Sequence, residues 1–253
     1  MHGNAKMPAN IAPMVKEYGE RLKQAGVPKP HQEAMAIIQQ ILGSSNYEID
    51  EKRMDALEKA LMLRERRMPV ERIFGTTKFC DMPIRTEFGV FKPYPETEDV
   101  VHYAISALAN ETRPWRILDL GTGTGCILLA LLHAFPNASG LGIDNSEKAI
   151  ALAKENATDS GLLDRAEFRI GNWADDIDEK FDLIITNAPR VPTHGMSCLV
   201  PEMRDYDPHP ALDGGVDGLD FIRKTADAFD RLSKIQSVCV CQISSAQAIN
   251  ASF

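Results

Sequence analysis

The chain has 253 residues, 44% of them hydrophobic and 25% charged, which is enough for one large globular domain beside a small one. Its formal net charge of -8 argues against direct nucleic-acid binding as the main task, because such a protein normally carries a basic balance. No apolar run reaches bilayer-spanning length and the N-terminus lacks the apolar core of a signal peptide, so no membrane partner and a cytoplasmic location are expected.

From about Ile11 to Arg67 the apolar residues recur at helical spacing, most clearly Ala34, Ile37, Ile38, Ile41 and Leu42, then Met54, Leu57 and Leu61. Two or three amphipathic helices follow, broken at Gly26-Val27-Pro28-Lys29-Pro30 and at Gly43-Ser44-Ser45-Asn46. Asp50 is placed to cap the last of them. The run Arg64-Glu65-Arg66-Arg67 reads first as a solvated helix end, with an RNA contact as the alternative.

Between Pro69 and Pro95 the pattern changes to short extended pieces, Ile73-Phe74-Gly75, Lys78-Phe79-Cys80 and Gly89-Val90-Phe91, as in a linking β-hairpin. Pro93-Tyr94-Pro95-Glu96-Thr97-Glu98 is a stiffened turn leading into a helix from Asp99 to Leu108. On spacing alone it is a simple helix-starting turn or a functional one.

The stretch Ile117-Leu118-Asp119-Leu120-Gly121-Thr122-Gly123-Thr124-Gly125 reads as a strand breaking into a glycine turn, and the apolar Cys126 to Leu132 as the following helix. Glycines allow the sharp turn and let a ligand approach the backbone closely. About twenty residues on, Leu141-Gly142-Ile143-Asp144 ends a second strand in a carboxylate able to hold ribose hydroxyls. Helix Ser146 to Ala157, strand Ala166 to Ile170 before Gly171-Asn172-Trp173, strand Phe181 to Thr186 and strand Ser237 to Ile243 complete a doubly wound α/β pattern. Ligands in such sheets bind beyond the carboxyl ends of the strands, which singles out Gly121 to Gly125, Asp144, Asn172 with Trp173, and Asn187-Ala188-Pro189-Arg190. An Asn side-chain carbonyl and the next backbone carbonyl can together accept both N–H bonds of an –NH₂ group.

The five cysteines, Cys80, Cys126, Cys198, Cys239 and Cys241, form no C-x-x-C pair, and the six histidines are dispersed. Reduced thiols and no metal are expected. Asp182 reads as a structural carboxylate at a strand end, and Asp119 as either a ligand contact or an anchor for the glycine loop.

The spacing D-x-G-x-G-x-G from Asp119 to Gly125 resembles motif I of class I S-adenosylmethionine-dependent methyltransferases, rather than the dinucleotide fingerprint, which would put glycine where Cys126 stands. With the N-terminal helices, the hairpin, Pro93 to Glu98, Asn172-Trp173, Asn187 to Arg190 and Asp207 to Leu219, the chain resembles the HemK/PrmC family along nearly its whole length. The resemblance implies a Rossmann-like methyltransferase sheet over 97–253, a linking hairpin over 71–96 and a helical substrate-recognition domain over 1–70. It further implies methylation of the glutamine side-chain amide in the Gly-Gly-Gln motif of peptide chain release factors, with S-adenosylmethionine as cofactor and a release factor as partner. Asp119, Gly121, Thr122, Gly123, Thr124, Gly125, Asp144, Asn172, Trp173 and Asn187 would then hold the cofactor. Asn187, Ala188, Pro189 and Arg190 would hold the glutamine amide, with Asn187 and Pro189 at the reacting centre.

The chain departs from the family pattern at three places. The family tetrapeptide is Asn-Pro-Pro-Tyr, and Ala188 and Arg190 replace its second and fourth residues; Tyr94 stands where the family has arginine; and the family continues into two further strands that would cover the fifth. Two other readings therefore remain: a degenerate or truncated paralogue acting as a cofactor-binding or regulatory module, and a methyltransferase of nucleic-acid amines.

Overall fold

The computed structural model describes residues 11–43, 49–108, 113–243 and residue 247. The chain divides into two compact units, Met1–Phe74 and Gly75–Phe253. In the first, helices α1 (Ala12–Gln24), α2 (Pro30–Leu42) and α3 (Glu51–Glu65) and the short α4 (Val70–Phe74) bury one core. Asp50 caps α3 by accepting the Arg53 N–H at 2.7 Å. The second break, from Ser44 to Asn46, lies outside the described residues.

Two expectations fail in this unit. Arg64 is no solvated helix end: it is buried and paired with Glu33. Ile73 and Phe74 are helical rather than extended, because the Pro69 carbonyl accepts from the Arg72 and Ile73 amides and both apolar side chains pack on the helical core.

The second unit begins with the hairpin β1 (Thr76–Phe79) and β2 (Met82–Arg85), closed by Cys80 and Asp81, both at positive φ. Such a two-residue turn matches the twist of its strands. Gly89-Val90-Phe91 is a loop and not a strand, since Val90 leaves the hairpin to pack on Ala149 and Leu152. Then come α5 (Glu98–Leu108), β3 (Arg116–Leu120), α6 (Cys126–Ala134), β4 (Ser139–Asp144), α7 (Glu147–Asp159), β5 (Ala166–Ile170), β6 (Phe181–Thr186), α8 (Pro201–Arg204), α9 (Asp220–Leu232) and β7 (Ser233–Cys241).

Strands β3 to β7 form a parallel sheet in the order β5-β4-β3-β6-β7, which turns around at β3. Side chains alternate between its faces. Ile117, Leu183 and Ile185 join one core with α5, α6 and α7, while Leu118, Leu120 and Ile184 join the other with α9. Burial on both faces explains why β6 is apolar almost throughout. On the α6 side the approach is close: a Cβ on Gly142 would come within 2.8 Å of Thr122 Oγ1 and 2.7 Å of the Phe168 ring. Strand β7 begins four residues earlier than its apolar run suggests, because Ser233 pairs with Phe181 ahead of a register shift that next sets Val238 against Leu183.

Candidate active site

Four strand ends converge on one cavity of about 240 Å³. Because the sheet order turns around at β3, the loops after β3 and β6 leave in opposite directions and open a crevice between them. Gly121, Thr122, Gly123 and Thr124 line it from β3, Asp144 from β4, Asn172 and Trp173 from β5, and Asn187 and Pro189 from β6.

Gly121, Gly123 and Gly125 all have positive φ, which a residue with a Cβ seldom adopts. The loop is held against β4 by the Gly121 and Thr122 amides, each 2.9 Å from the Ile143 carbonyl, and by the Gly123 amide on Asp144 Oδ2 at 2.9 Å. Asp144 Oδ1 accepts the Ser146 N–H at 3.0 Å. A carboxylate offers about four lone-pair sites, so these backbone hydrogen bonds leave acceptor capacity for a ligand's hydroxyls. Burial raises the Asp144 pKa above the ordinary carboxylate value, against the backbone N–H groups of Ser146, Gly123 and Asn145 that pull it down.

Asp119 does not line the cavity. It is fully buried and accepts the Thr122 hydroxyl at 2.6 Å through Oδ2, in the space that Gly142 leaves open. It therefore anchors the glycine loop from below. Its Oδ1 has no hydrogen-bond partner, and burial pushes the carboxyl up to about 7, with the Thr122 hydroxyl opposing and the Asp144 charge adding to the shift. Gly125 also lies behind the cavity wall, packed towards Ala153 and Phe168.

Trp173 supplies an aromatic wall. It sits at φ 59, is nearly buried, and stacks obliquely on Phe221 at 4.9 Å between ring centres. A non-glycine residue in this region stores about 1–3 kcal/mol of strain. The indole Nε1 is buried without a hydrogen-bond partner. Glycine amides at the floor, an acid with spare lone pairs and an aromatic wall together suit an adenosine-type ligand. Asn172 lines the same cavity while donating to Asp175 at 2.7 Å.

At the other end of the cavity Asn187 is held from both sides. Its Nδ2 donates to Thr97 Oγ1 at 3.1 Å, and its Oδ1 accepts from Arg190. A guanidinium has no acceptor, so the carbonyl end of Asn187 must face Arg190. That oxygen keeps one further lone pair. Burial lowers the Arg190 pKa from its ordinary value, with the Glu96 charge opposing. Ala188 is buried and, like the Arg190 side chain, stands outside the cavity lining; Pro189 is part of it.

Several residues that shape the site had no individual role assigned from the sequence. Thr97 fixes Asn187, and Asn156 ties three elements together. The Asn156 Nδ2 donates to the Thr124 carbonyl at 2.9 Å and the Arg85 carbonyl at 3.3 Å, and its Oδ1 accepts the Arg85 N–H at 2.8 Å. A lone polar residue on a buried helix face was the available signal. Tyr94 has a defined role: its hydroxyl donates to Asp207 at 2.6 Å, its ring lies 3.6 Å from Lys92 Nζ, and it thereby joins the proline turn to the segment carrying Pro208, Pro210 and Ala211 on the cavity wall. Asp182 is structural, accepting the Arg116 N–H at 2.8 Å and Lys234 at 2.7 Å.

A family model described as a methyltransferase domain matches residues 112–248. Together with the sheet order, this defines the chain as a class I, Rossmann-like methyltransferase. The release factor glutamine methyltransferase of Rhodospirillum rubrum is 42% identical over 208 residues, covering 79% of this chain and 63% of that protein. Its counterpart from Caulobacter vibrioides is 36% identical over 245 residues, covering 92% of this chain and 84% of that protein. The chain belongs to the release factor glutamine methyltransferase family, and it spans less than two thirds of the length of the Rhodospirillum relative. The hMettl16 catalytic domain, solved in complex with a 3′UTR hairpin, shares the fold with a TM-score of 0.54 at 15% identity, over 79% of this chain and 71% of that one. Among the described residues no helix is long and apolar enough to cross a membrane.

Proposed function

We propose that the protein binds S-adenosylmethionine in this cavity and methylates the side-chain amide nitrogen of the glutamine in the Gly-Gly-Gln motif of a peptide chain release factor, in the cytoplasm. The observation that carries the reading is the placement of Asn187 in the same cavity as the glycine loop and Asp144. Gly121, Gly123, Asp144 and Trp173 would hold the nucleoside part. The cofactor, when bound, supplies an electrophilic methyl group on a sulfonium.

The chain's own task is then to aim a nitrogen. The free lone pair of Asn187 Oδ1 accepts one N–H of the substrate amide, and the Ala188 carbonyl is placed in sequence to accept the other. Thr97 stops the Asn187 side chain from turning its amino end inward. Holding a reactant in one orientation supplies most of the rate in such a transfer. As the N–C bond forms the sulfur would depart as a neutral thioether and the nitrogen would release one proton to solvent water, so the carbonyl acceptors need only orient the N–H bonds and a strong base is not required. The helical unit ending at Phe74 is assigned to recognition of the release factor.

One observation favours a second reading, cofactor binding without glutamine transfer. Arg190 donates to the very oxygen that the substrate amide needs. Calorimetric titration with S-adenosylmethionine, repeated with Asp144→Ala, separates the two when followed by transfer of labelled methyl to a purified release factor. Binding that Asp144→Ala weakens, with label on the glutamine, supports the enzyme. Binding with no label on the release factor rejects it in favour of the second reading.

A further inference from the structure

Outside the cavity wall, the turn of the β1–β2 hairpin sets Cys80 against the start of α5. There Glu98 and His102 stand four residues apart and so share one face of the helix. The Cys80 sulfur, a Glu98 carboxylate oxygen and a His102 ring nitrogen lie within 4.8 Å of one another, the only such trio among the described residues. No residue of the trio lines the cavity. The Cys80 N–H donates to Glu98 Oε1 at 3.0 Å, which orients the carboxylate and leaves Oε2 for another partner. His102 is exposed, so the trio is open to solvent on one side.

The donor chemistry selects among cations. Calcium and magnesium take all-oxygen sets, whereas one sulfur, one nitrogen and one oxygen suit a borderline cation of the zinc class. Ligands at ~2.0–2.3 Å from a tetrahedral zinc stand ~3.5 Å apart, so the three side chains must draw together from their present spacing to take the ion.

We infer that Cys80, Glu98 and His102 bind one zinc-class cation, with water as the fourth ligand, and that the cation clips the hairpin turn to the helix start next to Thr97. The cation is a structural clip, separate from the methyl-transfer chemistry. Titrating the full-length, chelator-treated protein with cobalt(II) tests this. One equivalent should give tetrahedral d–d absorption and a thiolate-to-cobalt charge-transfer band. Cys80→Ser should remove the charge-transfer band, and His102→Ala, at an exposed position, should weaken binding at least about tenfold. Cys239→Ser is the control, because the Cys239 and Cys241 sulfurs lie 3.7 Å apart and form the competing thiol pair; the band should survive it. Absence of saturable binding, a band that persists in Cys80→Ser, binding unchanged in His102→Ala, or a band lost in Cys239→Ser overturns the assignment.

Discussion

Replacing Asp119 with Asn should flatten part of the protein's pH–stability profile. Asp119 is fully buried with one oxygen unpartnered, and its carboxyl titrates at about 7 in the folded chain against about 3.9 when unfolded. A raised carboxyl pKa means that the folded state binds the proton more tightly, so this group stabilises at low pH and the contribution is lost as pH rises towards 7. Between about pH 5 and about pH 8 the loss is about 2–3 kcal/mol. Asn keeps an acceptor for the Thr122 hydroxyl and never ionises. Urea denaturation followed by tryptophan fluorescence reads the relevant unit, since Trp115 and Trp173 both lie in Gly75–Phe253. The stability difference between wild type and Asp119→Asn should shift by that amount in favour of the variant as pH rises. Parallel profiles across the range would refute the burial argument.

Other expectations follow from the site. Asp144→Ala removes the acceptor for two backbone amides; with charge-assisted hydrogen bonds to ligand hydroxyls contributing about 1.5–3 kcal/mol, calorimetry should show S-adenosylmethionine binding weakened about tenfold to a hundredfold. Asn156→Leu strips hydrogen bonds from the Thr124 carbonyl and from both backbone groups of Arg85, and a fall of about 3 kcal/mol in urea stability is expected together with weaker cofactor binding. The double variant Ala188→Pro, Arg190→Tyr frees Asn187 Oδ1. If Arg190 competes with the glutamine amide, kcat/KM for a release factor rises, by about tenfold for each 1.4 kcal/mol of competition removed; a fall would show that Arg190 serves a different substrate.

The sequence made some parts of this molecule legible and concealed others, for physical reasons. The sheet was readable because parallel strands buried on both faces are written as apolar runs, and because positive-φ glycines after Leu120 leave few alternatives to a ligand loop. Asp50 as a helix cap was readable for the same local reason, since the contact spans three residues. Arg64 was misread because its partner, Glu33, is thirty-one residues away. Loops also misled: Gly89-Val90-Phe91 has strand composition, but Val90 is apolar because α7 covers it. Thr97 and Asn187 are ninety residues apart, so the hydrogen bond that holds Asn187 exists only in three dimensions. The trio of Cys80, Glu98 and His102 is similar, with only the four-residue step from Glu98 to His102 visible in one dimension.

The most direct measurement is mass spectrometry of a purified release factor after incubation with the protein and S-adenosylmethionine. The account predicts one added methyl group, confined to the Gly-Gly-Gln glutamine and absent with Asn187→Ala. A release factor left unmodified by protein that demonstrably binds the cofactor, or a methyl group on any other residue, would contradict it.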